Sequence, residues 1–369
     1  MSIMEYIYLV VGCGIALFIF EIFFRIWVEK KNIFINCAAR GNWNKTYMEA
    51  HPFLSFAYKK NTHIDNQKRI PYPLNPGKYF SHAAPVKINN CGHIGDDFSL
   101  RKEKGNIRVL CLGDSVTANV ISSDRIINHS YPTKLNKLLN AHGGKERYEV
   151  FNCGVTGWTC QEIYINFCLN LIQLNPDIVI FYAGFNDVQF HLHKMYTSDL
   201  RYVRKGLDGV LDLIKVGYWV PSLPFFKLYE YMRNLYFPRG NVRDDILKMI
   251  NPSHSMLDYS SGYETLRKET AIFEHLVAMS EHYKFRLIFS TYAFYNWNRD
   301  SEYQSKIAEG MEIQNDNIRK VASTHKVELV DFDKSVNKDS TYFLDCVHLT
   351  PKGMHKLSHH LREEICNDD

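Results

Sequence analysis

The sequence predicts an α/β fold, a parallel sheet covered by helices on both faces. Three observations carry this expectation. From residue 107 onward, short apolar runs alternate with segments of helical pattern. The helical segments are punctuated by Gly and Pro, the residues that end or start helices. Polar clusters recur just beyond the apolar runs, as they do where strands end at a binding edge. Such alternation requires crossover helices, and those bury a parallel sheet on both sides.

At the N-terminus, Tyr6 to Phe20, "YIYLVVGCGIALFIF", is unbroken by charge and runs on past Glu21 and Arg25 to Val28. About 20 apolar residues span a bilayer. Residues 5–28 are therefore expected to form one retained transmembrane anchor. Glu21 and Arg25 share a helix face and can pair, or Arg25 can snorkel beside Trp27. The run lacks a preceding basic segment and a following small-residue cleavage site, which speaks against a cleaved signal peptide. Lys and Arg follow the run and do not precede it. The positive-inside rule then weakly favours a cytoplasmic catalytic domain.

Residues 29–104 are rich in Asn, Pro and His, with "RIPYPLNPGKYF" at their centre. Dense turn residues without helical periodicity predict a small β-rich, irregular region. No chemistry stands out there.

The main domain is expected over 105–369. Its strands are "IRVLCL", "YEVFN", "DIVIFYA", "FRLIFSTYA" and "VELVDF". Between them lie the helical segments "YPTKLNKLLNAHGG", "TCQEIYINFCLNLIQL", "YETLRKETAIFEHLVAMSEHY" and "SKIAEGMEIQNDNIRKVASTH". The helix "PKGMHKLSHHLREEI" closes the chain. An insertion at about 188–260, full of aromatics and Arg, interrupts the rhythm.

Composition narrows the function. The chain has 369 residues, 46% of them hydrophobic and 23% charged, so a folded core is expected and disorder is not. A net charge of +4 with scattered basic residues does not imply nucleic acid as a partner. Nine Cys without a CxxC pair predict buried free thiols rather than a zinc site or a disulfide framework. His191 and His193, in "HLH", have no carboxylate or Cys at useful metal spacing and read as solvated loop histidines. No metal or cofactor is expected.

Four polar clusters fall at predicted strand ends: Gly113-Asp114-Ser115, "NCGVTGW", "GFND" and "DCVH". A parallel sheet brings all four to one edge. A Ser hydroxyl is a weak nucleophile until a base takes its proton. His348 is the best-placed base. Asp345, three residues earlier, can accept from its Nδ1 and leave Nε2 to face Ser115. Oxyanion donors are then the Ser115 N–H, a Gly N–H from the second cluster (Gly154 or Gly157) and the Asn186 side chain. Asp114 reads as a cap for local amides, and Asp187 as support for the loop around Asn186.

These clusters resemble the blocks of the SGNH hydrolases, also called the GDSL esterase/lipase family. Gly113-Asp114-Ser115 is similar to the first block, Gly157 to the second, Gly184-x-Asn186-Asp187 to the third and Asp345-x-x-His348 to the last. The resemblance implies a flavodoxin-like three-layer α/β/α fold. It also implies Ser115 as nucleophile and an oxyanion hole of Ser115, Gly157 and Asn186, supported by Asp114, Gly184 and Asp187. An anchor followed by a short β-rich region looks like membrane-bound members linked to cell-surface polysaccharides. The expected activity is hydrolysis of an O-acyl ester, on a small molecule or a carbohydrate. An O-acyltransferase with the same residues is the nearest rival. A non-catalytic scaffold that retains the fold is a rival of another class. The nucleophile elbow GxSxG is absent around Ser115, which argues against the α/β-hydrolase fold.

Overall fold

The computed structural model describes residues 3–30, 48–119 (except 50, 52, 55, 65–69, 72–78 and 81–85), 130–141, 148–198 (except 195 and 197) and 257–367 (except 261 and 269). The chain divides into two compact units, residues 1–45 with 199–253 and residues 46–198 with 254–369. Nearly all of the expected insertion, 199–256, lies outside the described residues.

In the first unit, α1 (Ile3–Lys30) is one continuous helix. Its stretch Met4–Phe24 is long and apolar enough to cross a membrane. The expected Glu21–Arg25 pairing lies outside the described side chains.

In the second unit, six strands of two or three residues come first: β1 (Met48–Glu49), β2 (Ala57–Tyr58), β3 (Thr62–Ile64), β4 (Ile70–Pro71), β5 (Tyr79–Phe80) and β6 (Val86–Ile88). They form three antiparallel pairs, β1 with β2, β3 with β6 and β4 with β5. The main sheet is β7 (Ile107–Gly113), β8 (Tyr148–Gly154), β9 (Ile178–Tyr182), β10 (Arg286–Ser290) and β11 (Glu328–Val330). All its pairings are parallel. Its spatial order is β11-β10-β9-β7-β8. This is the flavodoxin-like order, and it reverses direction between β7 and β9, where such sheets open a crevice at the strand C-termini.

The helices of this unit are α2 (Ser115–Ala118), α3 (Tyr131–Leu139), α4 (Cys160–Leu169), α5 (Phe185–His191), α6 (Ala271–Tyr283), α7 (Glu302–His325), α8 (Phe332–Ser335) and α9 (Pro351–Cys366). Local chemistry starts several of them. Ser130, Ser301 and Thr350 accept from backbone N–H groups in the first turns of α3, α7 and α9. Pro is the second residue of α3 and the first of α9, where its missing N–H has no intrahelical partner to lose.

Strand alternation sorts the core. Val109, Cys111, Ile178, Ile180 and Ile288 pack with Tyr131 and Leu135 of α3 and Leu357 and Leu361 of α9. The intervening residues face the opposite layer, where Phe181 and Phe289 meet Phe273 of α6 edge-on. Phe167 of α4 meets Phe285 in the same manner. Both faces of the sheet are therefore covered, and each buried Phe contributes about 1.5–3 kcal/mol by leaving water.

Two helices are shorter than their patterns. The segment expected as one helix over 263–283 is helical only from Ala271, after a 3-10 turn at Leu266–Lys268. Tyr263 sits at φ 56°, which no helix accommodates, so that its hydroxyl can donate to Lys306 O at 2.7 Å. The segment over 159–174 breaks at Asn170 into a 3-10 turn. That turn ends on Asn175 at φ 49°, and the following Pro176 disfavours the right-handed helical region at Asn175.

Candidate active site

At the C-terminal end of β7 the chain leaves the sheet through Asp114, whose φ of −100° and ψ of −142° turn it directly into α2. The Asp114 carboxylate is buried. Its Oδ1 accepts from Val116 N at 3.1 Å and from the Tyr292 hydroxyl at 2.9 Å. Burial pushes its pKa up to about 6, against the lowering by the Val116 N–H, the Tyr292 hydroxyl and the His348 charge. These bonds hold the turn so that Ser115 occupies the first position of α2. An N–H at that position has no acceptor within the helix.

The turn packs tightly on β8. A Cβ on Gly154 would collide with the backbone of α2, at Thr117 C and Ala118 N. Those atoms cannot move aside as a side chain would. Gly154→Ala is therefore expected to destabilise the fold by about 1–3 kcal/mol, the usual cost of overpacking. A urea-unfolding midpoint equal to wild type would contradict this contact.

Ser115 Oγ lies 3.0 Å from His348 Nε2, and His348 Nδ1 lies 2.7 Å from Asp345 Oδ2. The other carboxylate oxygen, Asp345 Oδ1, accepts from the backbone N–H groups of His348 at 2.7 Å and Val347 at 2.9 Å. Asp345 thus folds back on its own loop. A carboxylate accepts only from a protonated nitrogen, so Nδ1 carries the hydrogen and Nε2 is left to accept from the serine hydroxyl. The loop itself is braced. Leu344 N donates to His348 O at 2.7 Å, and Tyr295 N, beyond β10, donates to Cys346 O at 2.8 Å.

The electrostatics favour charge on the imidazole. Burial by itself would lower the His348 pKa, but the Asp345 carboxylate, with Asp114 behind it, outweighs this and raises it above 6.5. Burial would likewise raise Asp345. The His348 charge and the hydrogen bonds from His348 and Val347 overcome it and hold the carboxyl below its usual 3.8.

The second and third clusters flank the first. Gly113 at the end of β7 pairs in register with Gly154 of β8 and with Tyr182 of β9. Gly157 follows the first partner by three residues and Asn186 follows the second by four. Of the two candidate glycines, Gly154 has its N–H already bonded to Asn152 Oδ1 at 3.0 Å. Gly157 stands third in a turn closed from Trp158 N to Val155 O at 3.4 Å, at φ 81°. That left-handed value is where a type II turn needs glycine.

Asn186 Nδ2 donates to Trp158 O at 2.9 Å. An amide nitrogen has two hydrogens, so this bond orients the group and leaves a second donor. The two loops are joined again by Asp187, both of whose oxygens accept from Cys160 N, at 3.1 and 3.0 Å. Gly184 immediately precedes α5 and sits against Gln314 of α7.

One expectation is corrected. His191 and His193 are buried, not solvated. His191 lies in α5, with Nδ1 2.7 Å from Asp187 O and its ring 4.0 Å from that of Tyr196. His193 lies just after α5, in a bridge with Leu257. An imidazole with a backbone partner is a tolerable core residue, and "HLH" gives no hint of that partner. Among the described residues no group of three or more His, Cys, Asp or Glu could hold a metal ion.

Sequence reading missed Tyr292, whose hydroxyl donates to Asp114. Tyr292 follows β10 and belongs to a fifth strand-end cluster, "STYA", which carries no acid or base.

Comparison with known proteins adds the following. Residues 111–356 match the model of the GDSL-like lipase/acylhydrolase family. No curated protein sequence matches the chain significantly. Among solved structures, the acetyl xylan esterase AlAXEase is 16% identical over 69% of this chain and 98% of its own, with a TM-score of 0.41. A lipase/acylhydrolase from Enterococcus faecalis is 14% identical over 71% of this chain and 96% of its own, with a TM-score of 0.40. A variant of the acetyl xylan esterase Axe2 from Geobacillus stearothermophilus is 16% identical over 71% and 96%, with a TM-score of 0.41.

Proposed function

The chain belongs to the GDSL-like lipase/acylhydrolase family and is an ester-hydrolysing enzyme, and from that premise we propose that Ser115, His348 and Asp345 carry the reaction. The observation that supports this most is the continuous relay from Ser115 Oγ through the imidazole to Asp345, with links of 3.0 and 2.7 Å. In this reading Ser115 Oγ attacks the ester carbonyl carbon while His348 Nε2 takes its proton. Asp345 keeps the imidazole in the required tautomer and stabilises the imidazolium. The tetrahedral oxyanion is held by the N–H groups of Ser115 and Gly157 and by the Asn186 amide. Its collapse breaks the ester C–O bond, and the departing alcohol takes the proton from His348. Water, deprotonated by the same imidazole, then attacks the acyl-enzyme and frees the acid and Ser115.

An acyl ester on a carbohydrate is the substrate that the resemblance to surface-polysaccharide enzymes implies. A panel of acetylated sugars, short p-nitrophenyl esters and phospholipids tests this, run with wild type and Ser115→Ala. Fluorophosphonate labelling of wild type, lost in Ser115→Ala, is the expected result. Equal labelling of both proteins would sink the assignment. Transfer of the acyl group to a glycan hydroxyl in preference to water would make the enzyme a transferase with the same residues.

The helix α1 is read here as a retained membrane anchor, on the length and apolarity of Met4–Phe24. The expected result is recovery of the full chain in membranes, resistant to carbonate and released by detergent. A soluble product lacking the first 30 or so residues would show instead that the helix is removed. The positive-inside rule weakly favours a cytoplasmic catalytic domain, and protease protection in sealed vesicles reads the side directly.

A further inference from the structure

The turn that carries Gly157 is held from outside the main sheet. Tyr58 of β2 is buried, and its hydroxyl makes two bonds to one residue. It donates to Thr156 Oγ1 at 3.0 Å and accepts from Thr156 N at 3.1 Å. Two residues earlier on the same segment, Phe56 O accepts from the Trp158 indole Nε1 at 3.2 Å. The Phe56 and Trp158 rings pack with centroids 6.4 Å apart. The residues on both sides of Gly157 are thus fixed by residues 56–58. The hold reaches further, because Trp158 O is the acceptor that orients the Asn186 amide. Tyr58 is itself backed by a loop in which Gly92, at φ 81°, lies against Tyr58 O; a Cβ there would come within 2.9 Å of that oxygen. Burial raises the Tyr58 pKa above its ordinary 10, so at neutral pH the hydroxyl can serve as donor and acceptor together.

A free turn of this kind would rotate its peptide groups easily. A donor aimed at a developing oxyanion is worth most when it need not reorganise during the reaction. We propose that Tyr58, acting through Thr156, is a positioning residue for the oxyanion donors Gly157 and Asn186, so that the β-rich segment before the sheet forms part of the catalytic apparatus. This rests on the mechanism above. Tyr58 touches no reacting atom in that mechanism; it sets the geometry of groups that do.

The test is Tyr58→Phe, which removes one oxygen and keeps the buried ring, assayed beside wild type and Ser115→Ala in the full chain. A misplaced catalytic group typically costs up to about 100-fold, and a loss of about 10- to 100-fold in kcat is expected. KM should stay within about twofold, because the oxyanion contacts exist only in the transition state. The pH profile should keep its wild-type midpoint, since the His348–Asp345 pair is untouched. Thr156→Ser, which retains both bonding groups, should retain activity. If Tyr58→Phe does not fold, Thr156→Val takes its place with the same readings. A kcat within about twofold of wild type, or a loss carried by KM, overturns the inference while leaving the mechanism standing. Wild-type activity that survives Ser115→Ala overturns the mechanism itself and the inference with it.

Discussion

Ser115→Ala is expected to lower kcat by about 10⁴- to 10⁶-fold, with KM little changed and the fold intact. The nucleophile's removal abolishes the acyl-enzyme, and the remaining oxyanion donors can assist only direct attack by water. The side chain is small, and among the described residues its hydroxyl bonds only to His348, at the edge of the sheet. Unfolding in urea should match wild type, which separates a chemical loss from a structural one. Rapid mixing with p-nitrophenyl acetate should show a burst in wild type and none in the variant. Intact-protein mass spectrometry should find an added acyl group on wild type alone. Residual activity within about tenfold of wild type would place the nucleophile elsewhere.

Asp345→Asn is the second large effect, with an expected fall of about 10³- to 10⁴-fold in kcat. An amide of the same shape can present its NH₂ to Nδ1, which forces the hydrogen onto Nε2 and leaves no base facing Ser115. The variant also moves the pH profile in a direction that can be worked out. The base acts when neutral, so kcat/KM rises as His348 loses its proton. The Asp345 carboxylate is the main influence holding the His348 pKa above 6.5. The wild-type midpoint should therefore lie above 6.5, and that of Asp345→Asn should be lower, since burial is then opposed by the Asp114 charge alone.

Stability follows the same pair. A raised His348 pKa contributes stability that is full below 6.5 and is lost as pH rises through the folded value. A lowered Asp345 pKa contributes stability that is present above 3.8 and is lost as pH falls through its own folded value. The advantage of wild type over the variant should peak between these limits. Thermal melts at a series of pH values would read it, and a flat difference would contradict the ion pair.

Much of the fold was legible because strands and helices write their periods locally. The five apolar runs became the five strands of the sheet, and polar residues beyond them became the site. The helix boundaries were less legible where a single residue obeyed a distant contact, as Tyr263 does in reaching Lys306 O. Ser115, Asp345, His348 and Asn186 were named from chemistry and spacing, Gly157 from its block position. The braces were not legible. Tyr58 and Thr156 are 98 positions apart, and Tyr58 belongs to no motif. Tyr292 and Asp114, 178 apart, meet only because β10 and β7 end at the same edge of the sheet.

By itself the sequence determined the strand and helix rhythm, an apolar N-terminal helix long enough to cross a membrane, and the residue types able to attack an ester. These depend on periodicity, length and side-chain chemistry, which neighbouring residues carry between them. Tertiary structure alone decided that the Gly154 N–H is taken by Asn152, that Thr156 and Trp158 bond to residues 56–58, and that His191 and His193 are buried. It also decided that a histidine 233 positions from Ser115 lies 3.0 Å from its hydroxyl. Register across β8, β7 and β9 sets which loop ends adjoin, and packing around the strand ends sets which hydrogen bonds remain free. Neither is a property of any stretch of chain read alone.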